Sequence, residues 1–365
     1  MKGRVAYMDR PGSIEYREYQ VPSPEPGAIV ARVLRSNVCG SELHIFRGHH
    51  PALKSAVLGH EMLGEVLELG PGVRTDFAGQ PLKPGDRVVC TYFRICRKCR
   101  ACRNGHPQLC ENCYTHWVKH PDEEPHFHGT FATHYYINPD QWVYRVPDGV
   151  PDAAAASANC ALSQVLYGID RAGLRAGETL LVQGAGGLGL NAVAVARERG
   201  ARVIVVEGVA ARLEQARRFG ADHLLDLRSL ETPESRVQAV LDLTDGYGAD
   251  VAIELTGVPS AFAEGIQLVR PGGRYVSIGN IVPGQLVPFD PGLLTRKTIT
   301  IFGVVRYEPH YLLLALRFLE RNLERFPFHQ LLDAEFDFDH IPEALRRSDR
   351  REVTRASIVC SARDR

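Results

Sequence analysis

The stretch E-T-L-L-V-Q-G-A-G-G-L-G-L-N-A-V-A-V-A-R-E-R-G-A-R-V-I-V-V-E, residues 178–207, decides the fold class of this chain. The apolar run Thr179–Gln183 predicts a strand, and an alanine- and valine-rich run then predicts a helix that leads to a second strand. Between the first strand and the helix, Gly184, Gly186 and Gly189 form a G-x-G-x-x-G turn, which lets a pyrophosphate approach the helix N-terminus. Glycines that only allow tight strand–helix packing are the alternative interpretation. Strand, turn and helix in this order favour a dinucleotide site.

Glu207 ends the second strand of this unit and indicates which dinucleotide is bound. Its carboxylate can accept hydrogen bonds from the adenosine ribose hydroxyls and would repel a 2′-phosphate, so we expect NAD in preference to NADP. Strands and helices continue to alternate, which predicts a doubly wound parallel sheet of about six strands. Residues 270–274, R-P-G-G-R, predict the turn before the fifth strand. The further strands are predicted at His223–Asp226, Asp250–Leu255, Arg274–Ile278 and Thr298–Gly303, and the helices at Ala210–Phe219, Pro233–Leu243 and Pro259–Leu268.

A second signal lies in the N-terminal part, where the motifs C-G-S-E-L-H and G-H-E occur. Cys39 and His60 offer a thiolate and an imidazole, the ligand types that zinc prefers, and Cys160 is the candidate third ligand from a distant segment. Three ligands leave a fourth position open for a substrate oxygen. Ser41 and His44 lie beside Cys39 and could carry a released proton outward. A lone cysteine or histidine is more often a core residue, so the prediction depends on its combination with the dinucleotide turn.

Four cysteines on one polar loop follow the pattern C-x2-C-x2-C-x7-C: Cys96, Cys99, Cys102 and Cys110. Four thiolates complete a tetrahedral site without an open position, so a zinc ion there would be structural. The alternative, four unliganded thiols, would leave an exposed and oxidation-prone cluster. Cys90 and Cys113 are near neighbours of this run, and we predict that Cys113 is not a ligand.

Composition restricts the possible functions of the 365 residues, of which 43 are basic and 43 acidic. A formal charge of zero argues against a general nucleic-acid or acidic membrane surface. No apolar run is long enough to span a bilayer and the N-terminus lacks a signal-peptide core, so we expect a cytoplasmic protein. In that compartment the nine cysteines should be reduced thiols or metal ligands.

The remaining segments predict a second, β-rich domain beside the parallel sheet. Short strands and turn residues in residues 1–38 and 58–90 favour a small, irregular, barrel-like domain. The alanine-rich segment that begins near Pro151 predicts a helix. A periodic helix over His310–Asn322 and the short strands after it predict a tail that returns to the first domain.

The motifs and their order resemble those of the zinc-dependent medium-chain alcohol dehydrogenases, a family that includes sorbitol and threonine dehydrogenases. The resemblance covers essentially the whole chain. It implies a GroES-like β-barrel catalytic domain in residues 1–161 and 304–365, with a structural zinc lobe at about residues 90–113, and a Rossmann NAD-binding domain in residues 162–303. It also implies two zinc ions per chain and hydride transfer between NAD and an alcohol, secondary or polar, reversibly to the ketone or aldehyde.

The same resemblance assigns catalytic and metal-binding roles to individual residues. The catalytic zinc ligands that it implies are Cys39, His60 and Cys160, and the structural zinc ligands are Cys96, Cys99, Cys102 and Cys110. Glu61 corresponds to a carboxylate behind the metal that can ligate it transiently. Ser41 corresponds to the residue that takes the alcohol proton and His44 to the outer relay base. Glu42 stands where the family usually has the aspartate that orients the ligand histidine.

Cofactor contacts and pocket walls follow from the resemblance and from position. The implied cofactor-binding residues are Gly184, Gly186, Gly187, Leu188, Gly189, Glu207, Arg212 near the adenosine ribose, and Arg355 at the pyrophosphate. The implied pocket walls are Phe46, Tyr92, Phe131, Asn159 and Arg306. Four nearby histidines, His49, His50, His126 and His128, would suit a polar or hydroxylated secondary alcohol. Histidines that only face solvent are the alternative interpretation.

Two other functions and the assembly state are left open by these residues. The fold could serve reduction of an activated alkene or carbonyl in a biosynthetic pathway, or a non-catalytic dehydrogenase-like binding protein, and the complete ligand and glycine motifs argue against both. The strand Thr298–Gly303 is apolar and ends the sheet, and such edges tend to be paired or covered. We therefore expect a homodimer or homotetramer.

Overall fold

The computed structural model describes residues 1–50 and 53–360 and divides the chain into two compact units. Unit 1 consists of Met1–Ser163, Glu308–Leu323 and Phe328–Arg365, and unit 2 of Gln164–Tyr307 and Glu324–Pro327. The last residues of the predicted catalytic domain, 361–365, lie outside the described residues. Within the described ranges, no helix is both long and apolar enough to cross a bilayer.

Unit 1 begins with eight strands and three short helices. They are β1 (Lys2–Arg10), β2 (Ser13–Gln20), β3 (Ile29–Asn37), β4 (Ala56–Val57), β5 (Glu61–Leu69), β6 (Arg87–Cys90), β7 (His134–Ile137), β8 (Val143–Arg145), α1 (Gly40–Phe46), α2 (Arg100–Arg103) and α3 (Asp152–Ala155). β3 and β5 pair antiparallel, and the last pair in their register is Asn37 with Glu61. The end of β3 and the start of β5 therefore lie side by side, which brings the residues just beyond them, Cys39 and His60, to one place.

Unit 2 contains the predicted doubly wound sheet, and the structure confirms it. Its strands and helices are α4 (Ser163–Ala172), β9 (Thr179–Gln183), α5 (Gly187–Glu198), β10 (Arg202–Glu207), α6 (Ala210–Arg218), β11 (His223–Asp226), α7 (Pro233–Leu243), β12 (Ala249–Glu254), α8 (Pro259–Leu268), β13 (Val269–Ser277), α9 (Pro291–Lys297) and β14 (Thr300–Gly303). The six strands are parallel in the order β11-β10-β9-β12-β13-β14. The strand order reverses between β9 and β12, where sheets of this type bind ligands. Buried aliphatic side chains such as Leu181, Ile204 and Ala252 form the core of the unit.

The tail adds two helices and two strands to unit 1. They are α10 (Tyr311–Asn322), β15 (Ala334–Asp337), α11 (Ile341–Asp349) and β16 (Ala356–Val359). β16 pairs antiparallel with β3, and β15 pairs with β16. Two sheets thus make up the unit. The sheet of β2, β1 and β4 is antiparallel, and the larger one, which runs from β15 to β8, is antiparallel except for the parallel pair β15–β16. Ile341 and Ile358 from the tail share a core cluster with Val38, Ile45 and Phe131.

Two local predictions differ from the structure. The alanine-rich segment is not one continuous helix, because the π-helical turn Ala158–Leu162 separates α3 from α4. Residues 270–274 are not a turn before a strand but part of β13, whose register against β12 shifts between Ala249 and Val251. Gly272, with a φ of +70°, accommodates this irregularity without the strain that a side chain would cause.

Candidate active site

The structure brings Cys39, His60 and Cys160 together, although they are far apart in the chain. Cys39 immediately precedes α1, His60 immediately precedes β5, and Cys160 lies in the π-helical turn. One ligand atom from each, together with a carboxylate oxygen of Glu61, lies within 4.8 Å of the others. His60 Nε2 is 3.2 Å from Cys160 Sγ. Two thiols and an imidazole that face one point are a suitable donor set for Zn²⁺.

The position of His60 is fixed from behind by Glu42. Glu42 Oε1 contacts His60 Nδ1, and Oε2 accepts a hydrogen bond of 2.9 Å from the Cys39 amide. Nδ1 can then carry the proton, which leaves the Nε2 lone pair for a metal. The glutamate thus reaches the ligand histidine despite being one methylene longer than the aspartate usual at this position. Burial raises the pKa of the Glu42 carboxyl, since only 1% of the residue is exposed.

The two thiols differ in how readily they ionise. Contact with Cys160, opposed by burial and aided by His60, holds the pKa of the Cys39 thiol well below its ordinary value. Contact with Cys39 and burial instead raise the pKa of the Cys160 thiol. Of the two, Cys39 is therefore the thiol that loses its proton more readily, and the thiolate is the form that binds a metal.

Glu61 and Arg355 form a buried ion pair at the same centre. Arg355 Nη2 contacts Glu61 Oε1, and Asn37 Nδ2 donates to Glu61 Oε2 at 3.2 Å. Glu61 is 0% and Arg355 4% exposed. Burial raises the pKa of Glu61 to about 7 although the Arg355 charge opposes it. The described contact of the Arg355 guanidinium is thus with Glu61, and its predicted contact with a cofactor pyrophosphate stays a prediction.

Ser41 and His44 occupy one face of α1, since they are three residues apart in a helix. Within the described residues, the buried Nδ1 atom of His44 has no hydrogen-bond partner. Burial lowers the pKa of His44, and the charges of Arg47 and His49 lower it further. His44 therefore stays neutral to a lower pH than an ordinary histidine does.

An aromatic wall stands beside His60. The ring centroids of Tyr92 and Trp117 are 4.9 and 5.7 Å from that of His60. Trp117 stacks on Tyr92 at 6.2 Å and on Tyr114 at 5.0 Å. Tyr92 is among the expected pocket walls, whereas Trp117 is not. The signal that could have indicated Trp117 is its place in the aromatic segment that follows the cysteine-rich loop. These rings place aromatic surface next to His60 on one side of the candidate metal site.

Other expected pocket residues have different positions. Phe131 is 0% exposed within a hydrophobic core cluster, so it is not a pocket wall. Asn159 is also fully buried and donates from Nδ2 to the carbonyl oxygens of His60, at 2.9 Å, and Cys90, at 3.1 Å. It therefore positions the segment that carries the ligand histidine. Phe46 packs against the same core cluster as Phe131, and Arg306 belongs to unit 2.

The histidines that suggested a polar substrate are mostly structural. His126 stacks on Tyr19 with centroids 4.5 Å apart, and its Nδ1 atom is 2.8 Å from the Pro121 carbonyl oxygen. His128 Nε2 is 2.9 Å from the Glu123 carbonyl oxygen, and burial lowers the pKa of His128 to about 4. His50 Nδ1 accepts from the Leu53 amide at 2.9 Å. Side chains used in this way within loops give no support for a hydroxylated substrate.

The cysteine-rich loop also brings its four predicted ligands together. The sulfur atoms of Cys96, Cys99, Cys102 and Cys110 lie within 4.8 Å of one another. Amides of the loop donate to these sulfurs, from Cys99 to Cys96 at 3.3 Å and from Cys102 to Cys99 at 3.5 Å. A hydrogen bond from the Lys98 amide is the largest of the effects that lower the pKa of Cys96 to about 6. Four sulfurs in this arrangement fit a closed tetrahedral site, and Cys113 is not part of the group.

The glycine turn in unit 2 is shaped for a close ligand. Gly184 has a φ of +96°, and a Cβ atom on Gly189 would lie 1.9 Å from the Gly184 carbonyl oxygen. A Cβ on Gly186 would meet no protein atom within 4 Å, so this glycine leaves open space at the start of α5. Gly186, Gly187 and Leu188 are partly exposed there. The turn fits a pyrophosphate next to a helix N-terminus.

Glu207 lies at this turn and ties it to the next loop. Its Oε2 accepts from the Ala185 amide at 2.9 Å, and its Oε1 from the Gly208 and Val209 amides at 2.7 and 3.0 Å. Arg212 Nη1 is 3.9 Å from Glu207 Oε2. In the described part of the chain, Oε2 accepts only one hydrogen bond and retains a lone pair for a ribose hydroxyl, so the predicted contact is compatible with this geometry.

Comparisons with known proteins agree with both units. The model of the alcohol dehydrogenase GroES-like domain matches residues 25–148, and that of zinc-binding dehydrogenases matches residues 187–321. The chain is 34% identical to 5-exo-hydroxycamphor dehydrogenase of Pseudomonas putida over 94% of each chain. It is 36% identical to L-threonine 3-dehydrogenase of Pyrococcus horikoshii over 81% of this chain and 80% of the relative. An alcohol dehydrogenase structure from Thermotoga maritima superposes with a TM-score of 0.92 at 31% identity, covering 98% of this chain and 99% of the other.

Proposed function

Because the chain belongs to the zinc-dependent medium-chain alcohol dehydrogenase family, we propose that it transfers a hydride between a secondary alcohol and NAD, reversibly to the ketone. The observation that carries the proposal is the convergence of ligand atoms from Cys39, His60, Cys160 and Glu61 within 4.8 Å. A zinc ion held there supplies Lewis-acid polarisation of the alcohol oxygen, and NAD supplies the hydride acceptor.

The residues around the metal ligands control proton positions. Glu42 keeps the proton of His60 on Nδ1, so that Nε2 faces the metal. The Ser41 hydroxyl takes the alcohol proton and His44 accepts it next, because the buried Nδ1 atom of His44 has no other hydrogen-bond partner among the described residues. Arg355 holds the Glu61 carboxylate, which lies close enough to the other ligand atoms to serve as an alternative ligand.

The cofactor is held by the glycine turn of unit 2. Partly exposed amides at Gly187 and Leu188 receive the pyrophosphate, and Gly186 leaves room for it. Glu207 accepts the adenosine ribose hydroxyls, and Arg212 lies beside that carboxylate. We assign Cys96, Cys99, Cys102 and Cys110 to a structural zinc ion, because four sulfur ligands complete a tetrahedral site and leave no position open for a substrate.

The substrate class follows from the wall beside His60 and from the relatives. Tyr92 and Trp117 present aromatic surface there, which favours an apolar ring or chain next to the reacting carbon. The substrates named for two relatives, 5-exo-hydroxycamphor and L-threonine, both carry a hydroxyl on a secondary carbon. We therefore favour an apolar, cyclic secondary alcohol over the polyols that the histidines first suggested.

Metal analysis and a substrate screen together test this function. We expect about two zinc ions per chain and NAD-linked oxidation that is fastest on cyclic secondary alcohols, slower on polyols and L-threonine, and slowest on primary alkanols. NADP should give a lower rate than NAD, because Glu207 would repel its 2′-phosphate. Faster rates on primary alkanols would contradict the substrate class, and no NAD reduction on any alcohol by zinc-loaded protein would contradict the reaction.

We also propose a homodimer or homotetramer in the cytoplasm. β14 is the last strand of the six-stranded sheet, and its Ile301 and Phe302 side chains are only partly buried. Leu286, 95% exposed, adds apolar surface in the same unit. None of the nine cysteines, all within the described ranges, forms a disulfide, which supports a reducing compartment. Light scattering after size exclusion measures the assembly; a monomer at micromolar concentration would contradict the dimer.

A further inference from the structure

Glu254, the last residue of β12, is a buried carboxylate without a role in the reaction proposed above. It is 0% exposed, and the described residues provide it with no salt bridge. Instead it accepts five hydrogen bonds from the two loops that follow β12 and β13. A buried charge is costly to desolvate, and this carboxylate is compensated entirely by loop donors.

The two carboxylate oxygens of Glu254 serve one loop each. Oε1 accepts from the Thr256 amide at 2.6 Å, the Thr256 hydroxyl at 2.8 Å and the Gly257 amide at 2.7 Å. Oε2 accepts from the Gly279 amide at 3.1 Å and from Asn280 Nδ2 at 2.9 Å. Because several peptide groups point at one carboxylate, their planes and the loops that contain them are fixed relative to each other.

The loops that Glu254 joins are in close contact with each other and with the glycine turn. A Cβ on Gly279 would lie 2.5 Å from the Gly257 nitrogen, so a larger residue would separate the loops. A Cβ on Gly184 would lie 2.8 Å from the Thr256 methyl group. Asn280 also lines a cavity of about 250 Å³ at the second loop. Glu254 therefore joins the ends of β12 and β13, and Thr256 extends this contact to the glycine turn after β9, at the edge of the sheet where a ligand would bind.

The order of the strands indicates which half of a dinucleotide these loops face. The sheet reverses between β9 and β12, and a dinucleotide lies across that point with its pyrophosphate at the glycine turn after β9. Glu207, at the end of β10, marks the adenosine side. The loops after β12 and β13 are on the other side of β9, which leaves them for the nicotinamide half.

We propose that Glu254 is a positioning residue for the nicotinamide half of NAD, acting through the loops after β12 and β13 and not by contact with the cofactor. This inference rests on the proposed function, since it requires NAD to bind in unit 2. It adds a residue whose loss should affect the two halves of the cofactor unequally. Glu254→Gln tests it, because the amide must turn its NH2 group toward the donors of one loop or the other.

The experiment compares two ligands by calorimetry on the full-length, zinc-loaded protein. NADH contains the nicotinamide ring, whereas ADP-ribose has the same adenosine and pyrophosphate without it. We expect Glu254→Gln to weaken the binding of NADH about tenfold, whereas the affinity for ADP-ribose changes less than twofold. Glu264→Gln is the matched control, because Glu264 is a carboxylate of the same unit, 11% exposed in its side chain, that pairs with Arg236 instead of a loop. It should leave both affinities unchanged.

Each result has a separate meaning. If Glu254→Gln weakens the binding of NADH and of ADP-ribose equally, or changes neither affinity, the positioning role is wrong. If wild-type protein binds neither ligand, the proposed NAD-dependent function fails instead. Should Glu254→Gln not fold, Asn280→Ala provides the same comparison, because it removes one exposed donor of the second loop. We expect this variant to bind NADH several-fold more weakly than wild type and ADP-ribose with unchanged affinity. An affinity for NADH equal to that of wild type would overturn the inference.

Discussion

Glu42→Gln provides a direct test of how the catalytic metal centre is held. The Glu42 carboxylate contacts His60 Nδ1 with one oxygen and accepts from the Cys39 amide with the other. Glutamine keeps the length but retains only one oxygen, so one of these two donors must face an NH2 group. Loss of a hydrogen bond to a charged group costs about 1.5–3 kcal/mol, which corresponds to a roughly 10- to 100-fold loss of metal affinity.

Competition with a chromophoric chelator measures this loss, and the protein carries its own reference site. The site of the four loop cysteines, Cys96, Cys99, Cys102 and Cys110, should keep its metal at the chelator concentration that removes the metal from the site of Cys39, His60 and Cys160. Glu65→Gln is the matched control on β5, because Glu65 pairs with Arg32 at 2.6 Å and is not among the candidate ligands. The Glu65→Gln variant should bind metal at both sites with the affinities of the wild-type protein. Equal metal retention in Glu42→Gln and wild type, or equal weakening of both sites, would refute the reasoning.

Three further substitutions test the ligands, the relay and the acid sensitivity. Cys39→Ser should remove one zinc per chain and abolish activity with an unchanged circular dichroism spectrum; unchanged turnover would contradict the ligand assignment. His44→Ala should slow oxidation roughly 100-fold near neutral pH and respond to added base, and a pH–rate profile like that of wild type would exclude His44 from the relay. Burial lowers the pKa of His116 to about 3. Below pH 6.5 the unfolded chain therefore binds a proton that the folded chain does not. The free energy of unfolding should then fall by up to about 1.4 kcal/mol per pH unit as the pH is lowered to 3. His116→Phe should remove about one proton from the difference in proton binding between the unfolded and folded chains, and so reduce the pH dependence of the free energy of unfolding. Urea unfolding at pH 7 and pH 5 measures this dependence, and an unchanged value would show that His116 does not cause the acid sensitivity.

Much of the nucleotide-binding unit could be predicted because its signals are local. β9, β11, α7 and α8 have the predicted bounds, since each is an apolar run or a proline-started helix between turn residues. The register shift that places residues 270–274 within β13 depends on pairing with β12, and no pattern in the segment itself reports it. The same is true of the π-helical turn Ala158–Leu162, because alanine-rich sequence favours any helix.

In the candidate site, too, the features that depend on local sequence could be predicted and those that depend on distant contacts could not. Cysteines and histidines were identified from residue type and spacing, because few other roles explain them in such numbers. The positions of Trp117 and of His126 depend on how the long segment before Phe131 folds back, which involves contacts with residues such as Tyr19 that are about a hundred positions away. Glu254 was missed for a different reason: an acidic residue at a strand end looks like a solvated one until its five donors are seen.

The charge of the buried cluster is an argument for a metal that does not depend on the resemblance. Cys39, Cys160, Glu42 and Glu61 can each carry a negative charge there, whereas Arg355 supplies one positive charge. Burial raises the pKa of both carboxyls, as expected for anions that lose their hydration in the protein interior. Apolar residues of similar volume would make a more stable core. A chain that keeps these groups in its interior gains nothing for folding, and a divalent cation bound by Cys39, Cys160 and Glu61 together with His60 would compensate their charge.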